Sequence, residues 1–63
     1  MKEYSKNFIT KDEEYCVSVR TSKDKVVLGI DIGVDGFYAD LTKKEIDELI
    51  DMLKCARKKI MTS

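Results

Sequence analysis

Two aspartates on neighbouring predicted strands are the side chains best placed for chemistry. The chain of 63 residues has no histidine and two cysteines, so acid–base work would fall to carboxylates. The strand pairing predicted below puts Asp31 opposite Asp40, and adjacent carboxylates can share a proton and separate their pKa values. This pair would lie on an open sheet face with no concavity to exclude water. We therefore predict that the protein is not an enzyme.

Metal binding has little support in the sequence. A structural zinc site usually takes four Cys or His ligands, and the chain offers only Cys16 and Cys55. The stretch 31–36, DIGVDG, begins like an EF-hand calcium loop. However, Gly33 and Thr42 stand where such a loop needs Asp or Asn and Glu. We predict no metal and no cofactor, and two free thiols that lie far apart.

The segment that positions these carboxylates is Val26–Val34, VVLGIDIGV. Its even-numbered residues are all apolar, and a period of two with one apolar face is typical of a strand covered on one side. A preceding strand over 15–21 alternates in the same way, and the polar residues 22–25 turn the chain between the two. The hairpin then pairs Thr21 with Val26, Val19 with Leu28, Val17 with Ile30 and Tyr15 with Ile32.

A second hairpin is predicted from the dipeptide Asp35-Gly36. Asp-Gly between alternating segments favours a type I′ turn, which needs positive φ at both central residues. The next strand then covers 37–41. The turn pairs Val34 with Phe37, Ile32 with Ala39 and Ile30 with Leu41, and on the other face Gly33 with Tyr38 and Asp31 with Asp40. Like charges directly opposite each other are mildly destabilising.

The segment 41–46, LTKKEI, predicts the start of a helix over 43–60. Thr42 is the N-cap, Glu45 is its reciprocal capping-box partner, and Leu41 and Ile46 form a hydrophobic staple. An apolar stripe follows at helical spacing. Its residues are Ile46, Leu49, Ile50, Leu53, Ala56 and Ile60.

The sum is one α+β domain over residues 1–63. We predict an antiparallel β-meander of three or four strands with one C-terminal α-helix packed on one face. Residues 1–11 form either an edge strand or a loose arm docked by Phe8. Twelve basic and twelve acidic residues cancel, so no global field attracts nucleic acid or a membrane surface. No apolar run resembles a signal peptide or a membrane span, so we expect a cytoplasmic protein without a membrane partner.

Several segments resemble the single-stranded DNA-binding domain of transcriptional positive cofactor four. They are Tyr15, VSVR at 17–20, Lys25, IDI at 30–32, and LT at 41–42 opening a helix. That family has a curved four-stranded sheet followed by one helix, forms homodimers, and grips single strands with basic and aromatic residues. The resemblance implies nucleic-acid contacts from Arg20, Lys23 and Lys25, with Tyr38 as a stacking ring.

This sequence departs from the family at two places. Asp35-Gly36 replaces a longer basic connection, and Asp31 and Asp40 are acidic. The small size, mixed charge and uncovered sheet face instead favour a non-enzymatic module that binds a protein. Such modules are encoded by phages and mobile elements to regulate or inhibit a host protein. Single-stranded nucleic-acid binding is the alternative.

The reverse face is the side of the sheet away from the helix, and both predicted contacts lie there. Small or apolar residues suit a homodimer contact in a domain this short: Cys16, Ser18, Val27, Gly29, Gly33 and Tyr38. The predicted partner-binding residues are Tyr38, Arg20, Ser18, Val27, Asp31 and Asp40. Among these, Tyr38 is the expected anchor, because aromatic residues are favoured at interface centres.

Overall fold

Residues 3–62 are described by a computed structural model, which shows one sheet and one helix. The four strands lie in the order β1-β2-β3-β4, each antiparallel to its neighbour. The elements are β1 Ser5–Ile9, β2 Cys16–Ser22, β3 Lys25–Ile32, β4 Asp35–Leu41 and α1 Lys43–Thr62. The predicted α+β meander with one C-terminal helix is confirmed. The N-terminal segment forms an edge strand, although residues 1 and 2 of the predicted segment 1–11 lie outside the described residues.

β1 joins the sheet through a turn organised by Asp12. The carboxylate of Asp12 accepts hydrogen bonds from the hydroxyl of Thr10 and from the backbone N–H of Glu14. Both bonds lower the pKa of Asp12, and the bond from the Thr10 hydroxyl contributes more than the bond from the Glu14 backbone. The turn places Phe8 opposite Val17. The alternation of apolar and polar residues that marks a strand is hard to recognise in the sequence of β1, because the charged Lys6 lies on the same face as the apolar Phe8.

The predicted register of β2 with β3 is confirmed for three of its four pairs, while Tyr15, predicted opposite Ile32, precedes β2 and is not part of the ladder. Thr21 lies opposite Val26, Val19 opposite Leu28, and Val17 opposite Ile30. The predicted loop is the polar stretch 22–25, but Ser22 and Lys25 pair with each other, so the loop consists of Lys23 and Asp24 only. Lys23 provides the positive φ of the two-residue loop, at 57°.

The predicted pairing of β3 with β4 is wrong. The loop is Gly33-Val34, not Asp35-Gly36, and Ile32 lies opposite Asp35. Gly33 has φ of 62°, which is the requirement for the first loop residue of a type II′ hairpin. Ile30 therefore faces Phe37 instead of Leu41.

The length of the paired segment explains this register. β3 and β4 form seven residue pairs, from Ile32–Asp35 to Val26–Leu41. A turn at Asp35-Gly36 would have left only the five pairs from Val34–Phe37 to Ile30–Leu41 before the helix begins. Because the displacement is an even number of residues, every side chain stays on its predicted face.

The helix start is confirmed in detail. The backbone N–H of Thr42 donates to Glu45 Oε1 at 2.9 Å, and the N–H of Glu45 donates to Thr42 Oγ1 at 3.3 Å. The Thr42 hydroxyl also donates to Glu45 Oε1, at 3.1 Å. The backbone bond to the Glu45 carboxylate is the main cause that lowers the Glu45 pKa, and this hydroxyl bond is the second. The staple residues Leu41 and Ile46 are half-buried.

Beyond its first turns the helix leaves the sheet. Ile46 and Leu49 are half-buried, whereas Ile50 and Leu53 of the same stripe are exposed. The predicted packing of the helix on one sheet face is therefore limited to its N-terminal part. Among residues 3–62, Val27 is the only buried large side chain, at 6 % exposure, and it lies on the reverse face.

Candidate binding site on the reverse face

The strand register arranges the reverse face as three adjacent rows that cross β2, β3 and β4. The rows are Arg20–Val27–Asp40, Ser18–Gly29–Tyr38 and Cys16–Asp31–Gly36. All six predicted partner-binding residues lie within these rows. The sequence alternation was sufficient to place them on one face, but not to decide which of them are neighbours.

Tyr38 is held in one position on this face. Its hydroxyl donates a 2.6 Å hydrogen bond to Asp31 Oδ1. The ring occupies the space of the missing side chain at Gly29, where a Cβ would come within 2.6 Å of ring carbons. A Cβ at Gly36 would meet the Asp31 carboxylate and come within 3.0 Å of the Tyr38 hydroxyl. The two glycines thus form a floor for the ring, and the Asp31 carboxylate fixes its end.

The electrostatics of the pair keep the Tyr38 hydroxyl protonated. The hydrogen bond to Asp31 is the main cause that raises the Tyr38 pKa above 10.0, and the Asp31 charge adds to it, while Arg20 acts in the opposite direction. A tyrosine hydroxyl is a donor at neutral pH even at its ordinary pKa, and the raised pKa of Tyr38 extends this hydrogen bond to higher pH. The side chain is still 61 % exposed, so an anchored aromatic surface faces solvent.

Two neighbour relations predicted from the sequence are wrong. Tyr38 covers Gly29 instead of Gly33, and Asp31 faces Gly36 instead of Asp40. Asp40 faces Val27 in the row two positions away from Asp31. The hypothetical acid–base pair is therefore not formed. In the described part of the chain, no three Cys, Asp or Glu side chains come together in a way that could hold a metal ion.

The six predicted residues differ in what they offer to a partner. Arg20, Tyr38 and Asp40 are exposed, Ser18 and Asp31 are half-buried, and Val27 is buried. Val27 therefore packs beneath its neighbours on the reverse face and is not accessible to a partner. Both thiols are free, with Cys16 half-buried and Cys55 exposed.

The sequence missed three residues of β1 that extend the rows, of which Ile9 lies opposite Cys16 and is exposed. Ser5 lies opposite Arg20 and Asn7 lies opposite Ser18, and both are exposed. The available signal was their alternation with Lys6 and Phe8. It is weak, because a lysine on the apolar face breaks the pattern.

The basic residues implied by the resemblance are divided between two places. Arg20 lies on the reverse face, whereas Lys23 and Lys25 line a shallow groove of about 270 Å³ at the start of the helix. Lys43 lines the same groove and was not anticipated. The pairing of Val26 with Leu41 brings Lys43 to that end of the sheet.

Among the described residues, no helix is both long enough and apolar enough to cross a membrane. No family model, curated protein or solved structure matches the chain.

Proposed function

We propose that the protein is a non-enzymatic binding module whose reverse face recognises a protein partner and regulates or inhibits it. The observation that carries the proposal is the exposed ring of Tyr38, held by Asp31 above Gly29. A side chain that is already fixed loses little conformational freedom when a partner covers it. Tyrosine is also among the residues that most often anchor protein interfaces.

The charges around the ring support a protein partner over a nucleic acid. The reverse face carries the guanidinium of Arg20 and the carboxylate of Asp40 on one outer row and the carboxylate of Asp31 on the other. Two carboxylates against one cation repel a phosphate backbone, whereas single-strand binders rely on a positive groove. A protein surface can meet the same face with charges of both signs around an apolar centre.

One observation favours the alternative, binding of a single-stranded nucleic acid. The N-terminal segment does form a fourth strand, and a four-stranded sheet followed by a helix is the arrangement that the resemblance implies. In this case Tyr38 stacks a base, and Arg20, Lys23 and Lys25 contact phosphates. Nucleic-acid binding would therefore use a second surface besides the reverse face, because Lys23 and Lys25 lie beside the start of the helix.

The test compares affinities of substituted proteins for a partner isolated by affinity capture on the wild-type chain. Tyr38→Ala should weaken binding about 30-fold, equivalent to about 2 kcal/mol at an interface centre. Tyr4→Ala is the matched control, since Tyr4 is exposed to a similar degree but precedes the edge strand. Equal affinities for the two variants would contradict the proposal.

A titration with a single-stranded oligonucleotide separates the alternative. If the reverse face binds a protein partner, oligonucleotide binding should be weak, and Arg20→Ala should change the oligonucleotide affinity little. If phosphate contacts drive binding, Arg20→Ala and Lys25→Ala should each lower the slope of log affinity against log salt by about one unit. That result would favour the nucleic-acid function over the proposed one.

A further inference from the structure

A surface made mostly of large apolar side chains is left uncovered by the chain itself. We call it the apolar layer. It combines the far end of the apolar sheet face with the helix stripe beyond Leu49, and its main residues are Phe8, Ile30, Ile32, Phe37, Ile50 and Leu53. All six are exposed, Phe37 at 68 % and Leu53 at 60 %.

The total surface of the chain shows how much covering is missing. The chain exposes 5926 Å², whereas a folded monomer of 7.3 kDa exposes about 4,200 Å² by the usual size scaling. The excess is about 1,700 Å². Permanent dimers bury about 1,000–2,500 Å² per subunit, so the excess has the size of one such interface.

We infer that a second copy of this chain covers the apolar layer. The layer has two unlike parts, a flat sheet end and a helix that extends away from it. Under a two-fold axis, the same surface serves both subunits, and a contact made by one chain is repeated by the other. The helix of each copy can therefore cover the sheet end of its partner, which a single chain cannot do for itself.

Charge and size agree with a second copy as the occupant. The chain has equal numbers of acidic and basic residues, so two copies do not repel each other through net charge. A chain of 63 residues with one buried large side chain in its described part also lacks a core of its own. Short domains of this kind gain most from oligomerisation.

This interface goes beyond the proposed function and differs from the homodimer predicted on the reverse face. It leaves Tyr38 and Arg20 exposed on the outer side of each subunit. Two reverse faces are then available per dimer, and the dimer does not depend on what they bind. The two proposals can therefore fail separately.

The direct test uses the unmodified protein. Light scattering after size exclusion should give twice 7.3 kDa at high micromolar concentration. In a mixture of isotope-labelled and unlabelled chains, filtered NMR spectra should show contacts between copies from Leu53 and Ile50 methyl groups to Phe37 or Ile30. Tyr38 should show none. A mass of 7.3 kDa, or contacts between copies that involve Tyr38 instead, would overturn the inference.

A pair of substitutions checks the location independently. Leu53→Glu should shift the mass to that of one chain, because it places a charge in the apolar layer. Cys55→Glu introduces the same charge about 200° around the helix, at another exposed position, and should leave the dimer intact. A dimer that survives Leu53→Glu contradicts the inference. If that variant does not fold, the contacts between unmodified chains decide.

Discussion

The two faces of the sheet differ in how well their side chains are covered within a single chain. The reverse face has few large side chains, yet it holds Val27, the one buried hydrophobic side chain among residues 3–62, and a hydrogen-bonded aromatic ring. The apolar face has many large side chains, yet Ile30, Ile32 and Phe37 are exposed. Side chains on one sheet can cover each other when glycines leave room for a ring. A face of bulky aliphatic residues instead needs a second layer, and the helix supplies only part of it.

The largest expected effect concerns the part of the apolar face that the helix does cover. Leu41→Ala should lower the free energy of unfolding by about 2 kcal/mol, the low end for a leucine truncation because Leu41 is half-buried. Thermal melts at fixed protein concentration measure this. Val34→Ala is the control, because Val34 is fully exposed in its loop. Equal melting temperatures for the two variants would show that the helix start does not pack on the sheet.

On the reverse face, Gly29→Ala should destabilise the protein by about 1–2 kcal/mol, because the new methyl group collides with the Tyr38 ring and comes within 2.8 Å of Ser18 Oγ. The Ser18 hydroxyl can rotate about a single bond, so the ring accounts for most of the penalty. The comparison is sharpened by repeating the change in a Tyr38→Ala background, where the penalty should fall below about 0.5 kcal/mol. Denaturant titrations of the four proteins complete the cycle. An unchanged penalty would mean that the ring does not occupy the glycine floor.

The junction between the faces and the helix depends on the capping box. Thr42→Ala should cost about 1 kcal/mol through loss of the N-cap. The pKa of Glu45 is lowered from its ordinary 4.5, so its contribution is present above pH 4.5 and is lost as the pH falls through the lowered value. Melts of wild type and Glu45→Gln across this range should converge at low pH. Parallel curves would contradict the role of the carboxylate.

The smallest expected effect is spectroscopic. In an NMR titration, Tyr38 should ionise above pH 10.0, because the bond to Asp31 stabilises the protonated hydroxyl. Its contribution to stability is present below pH 10.0 and is lost as the pH rises through the raised pKa. Asp31→Asn should move the midpoint back toward the ordinary value. Asp40→Asn, two rows away, is the control and should leave it unchanged.

The sequence by itself determined the elements and the faces. The capping box of Thr42 and Glu45, the β2–β3 register and the sorting of residues onto two sheet faces all follow from local spacing, and the structure confirms them. Such features depend on residues a few positions apart or on a strict period of two. For these, short-range physics is sufficient.

Only the tertiary structure decided which residues meet. Turns at Gly33-Val34 and at Asp35-Gly36 leave every side chain on the same face, so alternation cannot distinguish them. The choice depends on how many pairs form before the helix begins, and it joins Tyr38 with Gly29 and Asp31 instead of Gly33. Likewise, the helix stripe predicts that an apolar surface exists but not what covers it. That depends on the direction in which the helix leaves the sheet, which is a property of the whole chain.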